Sequence, residues 1–204
     1  MKLIIIRHGE SEADLLNVHE GRADFSLTDL GIHQAEHMAE WMKQHFTIDK
    51  IYSSTLIRAK QTAEILQRKV DCELLYKAEL MEWNNGLIAG LSFEEAAIQY
   101  PKKMNLPLHA CVYGQESLLD FRFRAEQILS QIISENEADS TIAIVSHGKM
   151  IRELYMAFLE FPVQSNVYLH TGDTGIHYWA IQENQKHVVW ANRMEHLLGL
   201  EEWN

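Results

Sequence analysis

Four places in the sequence carry side chains able to handle a phosphate group: Arg7-His8-Gly9-Glu10, Arg58, Glu82, and His147 within Ser146-His147-Gly148. Two guanidinium groups and a histidine describe an anion site, because the guanidinium fork matches phosphate oxygens. A neutral imidazole can attack phosphorus and form a covalent intermediate, which divides one difficult displacement into two easier ones. His8 is the candidate nucleophile. Charge spreading over the equatorial oxygens would be met by Arg7, Arg58 and a protonated His147, with no metal required. The leaving alkoxide needs a proton; Glu82 is the candidate donor, and the same carboxylate can then activate water.

The elements that must position these residues alternate between strand and helix. Leu3-Ile4-Ile5-Ile6 is a short, wholly apolar run stopped by Gly9, the pattern of a strand buried on both faces. Thr28 is a good cap for a helix in which Ile32, Ala35, Ala39, Met42 and Phe46 recur at steps of three or four. A short strand is expected at 50–52, and Ser53-Ser54 are expected to cap a helix bearing Leu56, Ala59, Ala63, Leu66 and Val70, with Arg58 in its first or second turn. A weak strand near 72–75 leads into an irregular stretch at 82–90 that is rich in Asn and Gly. Residues 92–114 hold a short helix and two prolines and read as an excursion over one end of the sheet; with its flanks, about 83–115, it is the expected lid. A long amphipathic helix through Leu118, Phe121, Ala125 and Ile132 precedes a second buried strand, Thr141-Ile142-Ala143-Ile144-Val145. A helix near 149–158 and late strands near 175–181 and 188–192 complete the pattern.

Such alternation predicts an α/β fold, a three-layer α/β/α single domain over 1–204 with a largely parallel central sheet. Ligands of such sheets bind beyond the carboxyl ends of the strands, where His8 and His147 both fall.

Composition narrows the class. The 204 residues, 47% of them hydrophobic, suffice for one well-buried core. A net charge of −11, with basic residues scattered, disfavours nucleic acid or an anionic membrane surface as partner. Cys72 and Cys111 form no disulfide framework, which fits a reducing, cytoplasmic address. The first apolar run is interrupted too early for a secretory signal, and no run is long enough to span a bilayer. His33 and His37 have the spacing that can place two imidazoles on one helix face, but no Glu follows His33 as in the zinc proteases, so neither metal nor other cofactor is expected.

Arg7-His8-Gly9-Glu10-Ser11 is followed in order by Leu27-Thr28, Gly31 and Gln34-Ala35, by Tyr52-Ser53-Ser54 with Arg58-Ala59 and Gln61-Thr62-Ala63, and by Glu82 with Gly86 and Gly90. Gly114 with Glu116-Ser117, then Ser146-His147-Gly148 with Arg152, close the series. Over nearly the whole chain this order resembles the histidine phosphatase superfamily, in its phosphoglycerate-mutase-like branch. The resemblance implies a phosphohistidine on His8, phosphate contacts from Arg7, Arg58 and His147, and Glu82 as proton donor; register with Gly86 and Gly90 favours Glu82 over Glu79. Asp14 and Glu20 stand where Asn and Gln are expected, and Ser26 where proline is usual. Asp14, Glu20 and Gly21 are candidate substrate-binding residues, the first two bringing negative charge. The function expected is hydrolysis of a small-molecule phosphate ester. A phosphomutase and a non-catalytic phospho-ligand binding module are the alternatives: the chain looks shorter than the mutases, and a pure binder has no need of both nucleophile and acid. A homodimer is left open.

Overall fold

The computed structural model describes residues 1–200; the last four residues of the expected domain lie outside the described part. Along the chain run β1 (Lys2–Arg7), α1 (Glu12–Leu16), α2 (Asp29–His45), β2 (Lys50–Ser53), α3 (Ile57–Val70), β3 (Glu73–Tyr76), α4 (Phe93–Gln99), α5 (Leu118–Glu135), β4 (Thr141–Ser146), α6 (Gly148–Phe158), β5 (Ile176–Gln182) and β6 (Gln185–Arg193). Short 3-10 turns cover Ala78–Leu80, Gly86–Ile88 and Glu195–Leu197.

Continuous apolar strands require cover on both faces, and the residues of β1 and β4 divide accordingly. Leu3, Ile5, Ile142 and Ile144 pack with Phe121, Ala125 and Ile128 of α5 and with Ile151 and Leu154 of α6. Ile4, Ile6, Ala143 and Val145 pack on the other face with Ala35, Met38 and Met42 of α2 and with Ala59, Ala63 and Leu66 of α3. The sheet order is β3-β2-β4-β1-β5-β6. Its first four strands are parallel, while β5 and β6 are antiparallel additions at one edge. This is the three-layer, largely parallel architecture that the alternation predicts.

Three local readings change. Ser53 and Ser54 do not cap α3, whose cap is Leu56; both serines are buried at the end of β2, and Ser54 Oγ accepts the Leu56 N–H at 3.3 Å. The short helix α1 has no counterpart in the sequence reading, because its five residues leave Leu15 and Leu16 exposed and so carry no apolar stripe. Strand β6 begins at Gln185, three residues before the expected start.

One close backbone approach ties α2 to the loop after β1. A Cβ added to Gly9 would lie 2.4 Å from Gly31 O, and one added to Gly31 would lie 2.0 Å from Glu10 O. Only glycine at both positions lets the start of α2 lie directly on the segment that follows His8.

Candidate active site

The tips of β1, β4 and β2 lie side by side, and their pairing continues past the last strand residues. His8 N–H donates to Ser146 O at 3.0 Å, and Ser54 N–H donates to Val145 O at 3.0 Å. The backbone ladder therefore sets His8, Ser54 and His147 at one end of the sheet.

His8 is 1% exposed, and its Nδ1 lies 2.7 Å from Gly9 O. A carbonyl oxygen only accepts, so Nδ1 carries the hydrogen and Nε2 presents its lone pair. Arg58 Nε–H donates to that Nε2 at 3.2 Å. Burial first, then the charges of Arg58 and Arg7, hold His8 well below the ordinary imidazole value, in the neutral form that a nucleophile needs.

Arg58 is fully buried in the first turn of α3, and two of its four other N–H donors hold one loop, Nη1 on Ala23 O at 3.0 Å and Nη2 on Gly21 O at 2.8 Å. Arg7 Nη1 donates to Thr171 O at 3.0 Å, and Nη2 pairs with Asp173 at 3.1 Å. His147 Nε2 lies 2.8 Å from Ser54 Oγ, and its ring centroid is 5.0 Å from that of His8. Burial first, then Arg58 and His8, push His147 well below the ordinary imidazole value, which opposes the expected protonated form. Arg7 Nε and His147 Nδ1 are buried with no protein partner.

Glu82 lies on the opposite wall, on irregular chain between two 3-10 turns. Its Oε1 accepts the Trp83 N–H at 2.7 Å, and its Oε2 accepts the Lys149 N–H of the first turn of α6 at 3.1 Å. Trp83 turns its ring edge-on to Phe121. The loop is held from behind by Arg124, which donates to Glu79 O at 2.8 Å, Met81 O at 2.6 Å and Glu82 O at 3.3 Å while pairing with Glu116 at 2.7 Å. Glu116 also accepts the Asn84 N–H at 2.6 Å. Sequence reasoning gave Arg124 no role and noted Glu116 only as a motif residue; the one signal for this pair was the Glu116-Ser117 match.

His8, Arg7, Glu20 and Glu82 line one cavity of about 210 Å³ together with Lys149 and Arg152. Glu20, Gly21, Glu82 and Lys149 also line an adjoining cavity of about 450 Å³ that opens toward Ile88 and Phe93. Gly21, at φ +52°, abuts the Asn85 side chain and offers only its backbone carbonyl, to Arg58. Asp14 lines neither cavity: its Oδ2 accepts the Ser11 N–H at 2.9 Å and the Ser11 hydroxyl at 3.1 Å, closing the N-terminus of α1.

A neutral imidazole backed by buried arginine, at the carboxyl edge of a parallel sheet, defines a class of α/β enzymes that transfer phosphoryl groups. The sequence profile of the histidine phosphatase superfamily (branch 1) matches residues 3–193, and this chain belongs to that family. It is a phosphatase by that membership. It is 29% identical to phosphoserine phosphatase 1 of Hydrogenobacter thermophilus over 78% of this chain and 76% of the relative. Phosphoglycerate mutase-like protein 4 of Arabidopsis thaliana is 31% identical over 76% of this chain and 69% of its own length. Among solved structures, a phosphoserine phosphatase from Entamoeba histolytica in complex with 3-phosphoglyceric acid superposes with a TM-score of 0.78 at 30% identity, over 96% of this chain and 98% of that one.

Proposed function

We propose that this chain hydrolyses small-molecule phosphate monoesters through a phosphohistidine on His8. The observation that carries the reading is the His8 imidazole itself, with Nδ1–H fixed on Gly9 O and Nε2 facing a cavity shared with Glu82. Nε2 attacks phosphorus, the ester P–O bond breaks, and the leaving oxygen takes a proton from Glu82. Water then gives a proton back to Glu82 as it attacks the phosphohistidine, and inorganic phosphate departs with His8 restored. Arg58 and Arg7 meet the charge that builds on the equatorial oxygens. The unpartnered Arg7 Nε supports this role, since a buried donor without an acceptor is a demand that an anion oxygen meets. His147 enters the site neutral and acts as a hydrogen-bonding group beside the nucleophile. Ile88 and Phe93 on the outer wall would receive the organic part of the ester.

Relatives named for phosphoserine, one of them a metal-independent phosphoserine phosphatase of Arabidopsis thaliana, support a small ester and chemistry without a metal. The two unpaired cysteines fit a cytoplasmic setting, and among the described residues no helix is long and apolar enough to cross a membrane. Phosphate release from a panel of phosphorylated metabolites, with and without chelator, tests the reading. Turnover that survives EDTA is expected; no release from any ester between pH 4 and 9, or isomerised ester without free phosphate, would contradict it.

A further inference from the structure

The donors that would receive a phosphoryl group already hold a carboxylate. Glu20 Oε1 lies 3.2 Å from Arg58 Nε and accepts the Ser11 hydroxyl, while Oε2 lies 3.8 Å from His8 Nε2. A phosphoryl group poised for attack must bring phosphorus to about 3–3.5 Å from Nε2, with its oxygens on the same guanidinium. Carboxylate and phosphoryl group thus compete for one set of donors.

The chain around Glu20 is tied on both sides. His19 N–H donates to Leu91 O at 2.8 Å and His19 O accepts the Gly90 N–H at 2.8 Å; on the other side, Arg58 grips Gly21 O and Ala23 O. The side chain itself is mostly buried beside the seat. Groups facing it are Arg7 and His8 from the end of β1, Ser11 with Asp14 behind it, Arg58 from α3, and Glu82 and Lys149 across the cavity. Arg7 is matched by Asp173, Arg58 by Glu20 and Arg152 by Glu153, which leaves Lys149 on the cavity wall, one charge where a dianion brings two. Two anionic groups in one buried site do not both stay ionised; they share a proton.

We propose that Glu20 is a specificity-determining residue of the phosphoryl seat: an anion enters together with one proton, held between the Glu20 carboxyl and an anion oxygen, so that the monoanion of a phosphate ester is preferred to the dianion. No bond to phosphorus is made or broken in this step; one O–H bond is exchanged for another, the proton coming from the monoanion or from solvent by way of Glu20. Burial of Glu20 raises its carboxyl above the ordinary value, which acts in the same direction. A phosphate ester loses its second proton near pH 6, so this residue would set the pH at which substrate is admitted and product let go. The inference rests on the phosphatase reading for the ester, though not for anion binding.

Sulfate separates the two, because it is a dianion of fixed charge over this range and is not hydrolysed. Titration calorimetry at pH 7 in two buffers of different ionisation heat is expected to show wild type taking up close to one proton more than Glu20→Gln, with Glu20→Ala resembling Gln. The Gln variant should bind sulfate about 30-fold or more tighter at pH 8 and within about threefold of wild type at pH 5, since uptake of close to one proton changes the ratio by about tenfold per pH unit. Thermal melts check that each variant folds. Equal proton uptake, parallel pH profiles, or weaker sulfate binding by Glu20→Gln at every pH would overturn the proposal. Hydrolysis of a generic ester by the same proteins reads the other question: proton-linked sulfate binding without turnover in any of them would remove the phosphatase reading and leave the seat intact.

Discussion

Two walls meet at the reaction cavity, and they are built by different means. The nucleophile's wall stands on the tips of β1, β2 and β4 and the first turn of α3, where His8, Ser54, Arg58 and His147 are all buried and all but Arg58 are set by the backbone ladder. The acid's wall stands on irregular chain, with the Glu82 carbonyl held by Arg124 of α5 and the next residues by Glu116, which precedes α5, accepts the Asn84 N–H and pairs with Arg124. The contrast separates what the reaction requires from what the ester requires. A strand tip cannot shift without disturbing the core, whereas a pinned loop can be reshaped around different organic groups.

Breaking the acid's wall at its tip should give the largest effect. With Glu82→Gln, kcat/KM for an alkyl phosphate, which reports on phosphorylation of His8 alone, is expected to fall about 10²–10⁴-fold, while that for nitrophenyl phosphate, whose leaving group needs no proton, loses far less. Equal losses on both esters in steady-state assays would remove Glu82 as proton donor. Releasing the same wall from behind comes next. Glu116→Ala leaves Arg124 without its carboxylate and should lower kcat about 10–100-fold by misplacing the acid, with sulfate affinity little changed and stability reduced by about 3 kcal/mol. A matching loss of sulfate affinity would mean that the two walls are not independent.

The buried histidines, two of them in the nucleophile's wall, carry a pH signature in stability. His8, His147, His177 and His196 are buried, and their folded values lie below the unfolded 6.5, those of His177 and His196 at about 4. Between the two values the unfolded chain binds more protons, so stability is full above about pH 6.5 and falls as pH drops toward 4, by roughly a few kcal/mol. The raised carboxyls of Glu20, Asp173 and Glu153 act oppositely and offset part of the loss. Urea midpoints across this range that stay level would contradict the buried neutral histidines. The smallest effect is expected at Asp14→Asn, about 1 kcal/mol or less from the weakened cap of α1, with kcat/KM within about threefold of wild type. A larger kinetic change would place Asp14 in the seat.

How far the sequence could be read follows the same division. Leu3–Ile6 and Thr141–Val145 were legible because a strand covered on both faces leaves an unbroken apolar run, and those runs place His8 and His147. Ser54 reads in sequence as a helix cap, because its contact with His147 depends on β2 lying beside β4, which local sequence does not state. His147 was expected as a cation because its charge was judged by the anion it would meet, whereas its burial beside Arg58 and His8 is visible only in the fold. Arg124 occupies a polar position on an amphipathic helix, and nothing in its neighbours announces that it reaches back to residues 79–82. Glu20 carried one signal, its departure from the expected Gln; which donors it takes follows from loop 20–23 folding onto Arg58.

The central claim, a covalent phosphohistidine on His8, is tested most directly by rapid quenching of the enzyme during turnover of a radiolabelled ester. Label that is labile to acid, stable to base, maps to the peptide containing His8 and is absent in His8→Ala is the expected result. Label on a carboxylate, or undiminished turnover by His8→Ala, would contradict it.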